Sequence, residues 1–217
     1  MIKTLHGMAF TALLAAPLAA AEPPVRDDTG IVRFAEEIPA EGVTDTTVFL
    51  RLPHVRQDHN LCVPASAAMV LAYFGDPHPQ RELKVLSRGK TWDPNAPFDD
   101  FTITWWRDLI VGLETLGYSW REAGYPNNEA GFRNGIEAIR ESLGRGHPVM
   151  VDVALYRSHT LVIVGLDDER ERVYFSDPNL PGPGLRVLTY GQLETIWNGL
   201  AYDVNARPAL FTRPKTD

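Results

Sequence analysis

The chain has 217 residues, 44% hydrophobic and 23% charged, with 21 basic and 28 acidic side chains for a net charge of −7. That is one domain's worth of soluble, folded protein, or two only if both are very small; it argues against a disordered chain and against a nucleic-acid binder, which needs a basic face. The single cysteine excludes an intrachain disulfide and a multi-cysteine metal site.

Residues 1–21 read as a secretory signal peptide. Lys3 precedes the apolar run Met8–Ala21, which ends in Ala19-Ala20-Ala21 before the polar switch at Glu22-Pro23-Pro24. Pro17 inside the run speaks against the alternative, a buried N-terminal helix. The mature chain is therefore expected to start near Glu22 and to be periplasmic or extracellular. No other apolar run approaches the roughly 20 residues of a membrane span, so none is expected in the mature chain. Exported proteins usually pair their cysteines, so a lone thiol is either buried and inert or reactive and needed.

Residues 22–45, acidic and rich in Pro and Gly, read as a linker or loosely attached arm. Thr46–Val55 is β-prone, with Pro53 confining it to a strand end or edge. After a polar loop at Gln57–Leu61, an almost uncharged helix begins at Cys62; Pro64 suits its first turn and Gly75 its stop. Gln80–Ser87 predicts a short helix, Trp92–Asp100 a loop and Thr104–Leu116 a third helix. Phe132, Ile136, Ile139 and Leu143 give Asn128–Leu143 an amphipathic helical period. Strands follow at Pro148–Leu155, His159–Leu166 and Arg172–Ser176, joined by the charged Asp167–Glu171 turn. A Pro/Gly loop at Asp177–Gly184, a strand at Leu185–Leu188, a helix at Tyr190–Trp197 and a closing strand at Ala209–Thr212 complete the series. Helices first and a largely antiparallel sheet after them make an α+β fold.

Four residues stand where nucleophilic chemistry would want them. Cys62 opens a helix, where unpaired N–H groups and the positive dipole end favour a thiolate. Gln57 can aim its amide beside the Cys62 N–H as a second oxyanion donor, although alone it reads as a surface glutamine. His159 stands at the mouth of an apolar strand, held as a general base or as a core histidine. Asp177, at the end of the return strand, falls near His159 and can orient its ring, or it merely starts a turn with Pro178 and Asn179. Asn179 is a minor candidate to substitute for or assist Asp177. His59 is more economically a loop residue than a partner of the thiol or of a metal, and His54, His78 and His147 lack ligand-like companions. Trp105 and Trp106 line a cleft or pack in the core. The Asp167-Asp168-Glu169 run reads as a solvated turn.

The order Gln57, Cys62, His159, Asp177 and its contexts resemble the papain-like cysteine peptidases, and more closely the branch of bacteriocin-processing, double-glycine-cleaving peptidases (cysteine peptidase family 39-like). The matching stretches are Gln57–Ser66 (QDHNLCVPAS), His159–Gly165 (HTLVIVG) and Asp177-Pro178-Asn179. The likeness extends over about Val48 to Trp197, within a peptidase domain at 46–217. It implies a papain-like fold, with a nucleophile-bearing helix N-terminus packed on a C-terminal antiparallel sheet. It also implies Cys62 as nucleophile, His159 as base, Asp177 as orienting acid and Gln57 as oxyanion donor, on a peptide or protein substrate with no cofactor and no metal. Val63 departs from the usual glycine after the cysteine. No transporter segments follow, so double-glycine specificity is not expected. An acyl or amide transferase on the same site, or a non-catalytic binding protein on a peptidase-like fold, are the alternatives. Oligomeric state is left open.

Overall fold

Alternating apolar residues on the strands feed two hydrophobic layers, one on each face of a twisted antiparallel sheet. The computed structural model describes residues 24–33, 37–87, 103–198 and 206–215. The predicted signal peptide and the Trp92–Asp100 loop lie outside these.

Eight strands form the sheet: β1 (Gly42–Val43), β2 (Thr47–Phe49), β3 (Arg121–Pro126), β4 (Val149–Val153), β5 (His159–Asp167), β6 (Arg172–Ser176), β7 (Leu185–Thr189) and β8 (Ala206–Phe211). Every pairing is antiparallel. Strand β5 is the hub. One edge pairs with β6, while the other is shared by β4 at residues 159–163 and β2 at residues 165–167. A register shift between Ile163 and Gly165 turns the alternation over, so Leu166 joins the same layer as Leu161 and Ile163.

The helices are α1 (Cys62–Tyr73), α2 (Gln80–Leu86), α3 (Trp106–Glu114), α4 (Glu129–Gly144) and α5 (Tyr190–Ile196). Helices α1 and α3 bury Met69, Val70, Leu109 and Leu113 against Met150, Val162 and Val164 on one face. On the other, α4 and α5 bury Ile136, Ile139, Leu143 and Leu193 against Val149, Val151, Leu161 and Ile163. The small residues of α1 let β5 come close enough for Ser66 Oγ to donate to the Thr160 carbonyl at 3.1 Å. Asn128 caps α4 by accepting from Gly131 N at 2.8 Å. Strand β3 was not expected: its Arg, Glu, Gly and Pro are those of a turn, and it survives as an edge strand bonded only to β8.

Two segments are more firmly placed than their composition implies. Residues 24–33, read as part of a linker or loosely attached arm, lie along the free edge of β7: Ile31 bridges Arg186, Val187 N donates to Gly30 O at 2.8 Å, and Val32 is buried. The Asp167-Asp168-Glu169 turn is not simply solvated. Asp167 is buried and caps the turn at Arg170 N, and Asp168 receives Arg140 and the Tyr190 hydroxyl. No helix of the described residues is long and apolar enough to cross a membrane.

Candidate active site

Helix α1 begins at Cys62 with no side-chain cap; the preceding Leu61 offers none, and its first turn carries no acid. Pro64 removes one of the four N–H groups that a helix start leaves unpaired, and Leu61 N is bonded to Asp58 O at 3.1 Å. The N–H groups of Cys62 and Val63 belong to the first turn of α1, which has no side-chain cap. Cys62 is free and half-buried.

His159, the first residue of β5, is 3% exposed. Its Nε2 lies 2.8 Å from Asp177 Oδ1, just past the end of β6. The hairpin between them closes as its lengths predict. With Nε2 committed to the carboxylate, Nδ1 is the ring nitrogen left for the Cys62 sulfur. Burial pulls the imidazole's pKa down, but hydrogen bonding to Asp177 and to Cys62, and their charges, outweigh it and lift the pKa to about 9. Tyr156 presents its ring to His159 at 5.1 Å, edge to face.

Asp177 is fully buried. Burial raises its pKa, yet His159, Arg186 and the Asn179 N–H together hold it below the ordinary carboxylate value. Asn179 meets this carboxylate through its backbone N–H, which donates to Oδ1 at 2.9 Å. Oδ2 receives Arg186 Nε at 3.1 Å and Nη2 at 2.9 Å. The loop carrying Asp177 folds back on itself, with Asp177 N donating to Gly184 O at 2.7 Å. Gly184 sits at φ +71, and a Cβ there would lie 2.0 Å from Nδ1 of His54, whose Nε2 meets the Leu180 carbonyl at 3.0 Å. His54 thus clamps this loop.

Gln57 joins the same neighbourhood through its backbone, donating to Pro178 O at 2.7 Å, next to Asp177. Its amide Oε1 is buried with no partner among the described residues. Gln80, at the start of α2, brackets Gln57: its Oε1 accepts from Asp58 N and its Nε2 donates to Arg56 O, each at 3.0 Å. Neither Arg186 nor Gln80 stood out in the sequence.

The other candidates take ordinary places. Trp106 is buried and donates to Thr160 Oγ1 at 3.2 Å, while Trp105 is 39% exposed with the Arg107 guanidinium over its ring. His78 pairs with Asp76 and Glu82, and His147 meets the Phe74 ring edge to face. His59 is exposed on the turn before Cys62. Among the described residues no three His, Cys, Asp or Glu side chains cluster to hold a metal ion.

A half-buried thiol at a helix mouth, with a buried imidazole–carboxylate pair beside it, on helices packed against an antiparallel sheet, is the arrangement of a papain-like cysteine peptidase. The chain belongs to the Peptidase_C39 like family, whose model matches residues 49–203. Among solved structures it is similar to a double glycine motif protease from an AMS/PCAT transporter in complex with the leader peptide, at 17% identity, covering 82% of this chain and 100% of that one with a TM-score of 0.52. It is similar too to the peptidase domain of Streptococcus ComA, a bifunctional ABC transporter of a quorum-sensing pathway (16% identity, 76% and 98% coverage, TM-score 0.53). A third neighbour is xylellain, a cysteine protease from Xylella fastidiosa (9% identity, 92% and 100% coverage, TM-score 0.50). At these identities the likeness is one of fold. No curated protein matches the chain.

Proposed function

We propose that the protein is an exported cysteine peptidase that hydrolyses peptide bonds at Cys62. The observation that carries this reading is the buried His159–Asp177 pair, whose remaining ring nitrogen faces the thiol at the start of α1. His159 accepts the Cys62 proton, and the thiolate attacks the scissile carbonyl carbon. The oxygen gains the negative charge between the Cys62 N–H and the Gln57 amide. The amine leaves with the proton from His159, giving a thioester. Water, deprotonated by His159, then releases the acid and returns the thiol. Asp177 holds the ring and supports its cationic form. Membership of a peptidase family supports this chemistry, and the leader peptide bound by one neighbour supports a peptide as substrate.

Digestion of a mixed peptide pool tests it. Wild-type protein should cleave at defined bonds, Cys62→Ala should cleave none, and a trapped acyl adduct should map to Cys62. Cleavage undiminished in Cys62→Ala would overturn the assignment. Export is read from the Lys3 and Met8–Ala21 pattern. N-terminal sequencing of the protein secreted by a bacterial host should begin at Glu22; an intact Met1 on the exported product would contradict it.

A further inference from the structure

Arg186 projects from β7 into the interior and is 0% exposed, and all three of its nitrogens are bonded. Nε and Nη2 hold Asp177 Oδ2. Nη2 also donates to the Asp27 carbonyl at 2.8 Å and the Tyr156 hydroxyl at 2.9 Å, and Nη1 donates to the Thr29 carbonyl. The two carbonyls come from a turn at residues 26–30 that is more than 150 residues away in sequence. The turn is closed by Thr29 N on Arg26 O at 3.0 Å and Arg26 N on Thr29 Oγ1 at 2.7 Å. Tyr156 ties into it twice, its N–H bonding Asp27 Oδ1 at 3.2 Å and its hydroxyl donating to Asp27 O at 3.0 Å. The Tyr156 ring lies under the Arg186 guanidinium and perpendicular to the His159 ring.

A buried guanidinium is stable only when its N–H groups are met. Asp177 offers it one oxygen, because the other is committed to His159 and Asn179 N. Beyond Asp177, the guanidinium meets the Tyr156 hydroxyl and two backbone carbonyls, and both carbonyls, of Asp27 and Thr29, come from the segment before residue 45. The segment just after the predicted signal peptide therefore completes the support of the carboxylate that orients the base.

We propose that Arg186 is the positioning residue of this site and that residues 26–32 form a strap that makes it competent, so that the N-terminal segment is part of the catalytic unit. The proposal rests on the peptidase reading above. Arg186 fixes Asp177 so that Oδ1 faces His159, and the strap fixes Arg186. Gly30 provides a way to lift the strap without touching the triad: at φ +71, a Cβ there would lie 1.9 Å from the Val187 carbonyl oxygen.

The test is the pH profile of Cys62 alkylation by iodoacetamide, measured on the chain from Glu22 onward for wild type, Arg186→Met, Arg186→Lys, Gly30→Ala, Asp177→Asn and the double variant Arg186→Met/Asp177→Asn. Near about pH 5, Arg186→Met should react at least about tenfold more slowly than wild type, with its profile displaced to higher pH. Gly30→Ala should shift the same way, and Arg186→Lys, which keeps the charge but not the fork, should fall between. In the Asp177→Asn background, Arg186→Met should change the rate by less than about twofold, since Arg186 acts through that carboxylate. The double variant removes both buried charges, so this comparison stands even if Arg186→Met alone fails to fold. Variant profiles that superimpose on wild type, or a rate change well above about twofold on adding Arg186→Met to Asp177→Asn, would overturn the proposal. A wild-type profile of an ordinary thiol would instead overturn the peptidase reading beneath it.

Discussion

Asp177 divides its two oxygens between opposite duties: Oδ1 meets His159 Nε2 at 2.8 Å, and Oδ2 meets Arg186 Nη2 at 2.9 Å, with all three side chains buried. Removing the carboxylate therefore strands a buried cation as well as freeing the imidazole. Asp177→Ala should lose on the order of 3–5 kcal/mol of stability in urea unfolding at neutral pH. Asp177→Asn, which keeps an acceptor of the same shape, should lose less, yet should still lower kcat sharply because its amide does not support the imidazolium. Equal stability losses in the two variants would contradict this division.

The buried pair gives stability a defined pH window. The pKa of His159 is raised from 6.5 to about 9, so its contribution is full below its unfolded value and is lost as pH rises through about 9. Asp177 is depressed, so its contribution is present above its unfolded value of 3.8 and is lost as pH falls through the lower folded value. Their joint contribution is thus largest between about pH 4 and 6.5 and declines on both sides. The alkaline decline attributable to His159 should be at most on the order of 3–4 kcal/mol. Urea midpoints of wild type and His159→Asn across pH 4–10 check it: their difference should shrink toward pH 10. A difference that widens there would refute the sign.

Gln57 and Gln80 should separate in kinetics. Gln57→Ala should cost about 10²–10³ in kcat for peptide hydrolysis, as expected for a lost oxyanion donor. Its alkylation by iodoacetamide, which develops no oxyanion, should be nearly unchanged. Gln80→Ala should show a weaker form of the same pattern, because it loosens the loop and leaves the donor in place. Loss of alkylation in Gln57→Ala would place Gln57 in activation of the thiol instead.

The loop after Asp177 is closed by the contact between Gly184 and His54. Gly184→Ala should destabilise by about 1–2 kcal/mol from its left-handed backbone alone, and by more from the clash with the His54 ring. In a His54→Ala background, which loses the clamp in both chains compared, Gly184→Ala should cost only the backbone portion, measurable as a smaller drop in Tm. An undiminished drop, or none, would contradict the contact.

What the sequence made readable was local. Cys62 and Pro64 at one end and Gly75 at the other define α1 within a residue or two, because start and stop signals act over one turn. The hairpin from His159 to Asp177 followed from strand lengths alone. Strand β3 did not, since an exposed edge strand has neither alternation nor apolar content to mark it. Arg186 was hidden for a different reason: in Leu185–Thr189 an arginine between apolar residues has the pattern of a solvent-facing position. The partners that bury it, Asp27 and Thr29, come from a stretch whose own composition reads as a linker. Asp168 was masked likewise by the charged turn around it, although Arg140 and Tyr190 enclose it.

The central claim, that the imidazole of His159 activates the Cys62 thiol, is tested most directly by the alkylation rate of Cys62 against pH in wild type and His159→Ala. Wild type should already react rapidly near about pH 5, and His159→Ala should react only as pH approaches about 8.5, the range of an unassisted thiol. Two coincident profiles rising together near about pH 8.5 would contradict the claim.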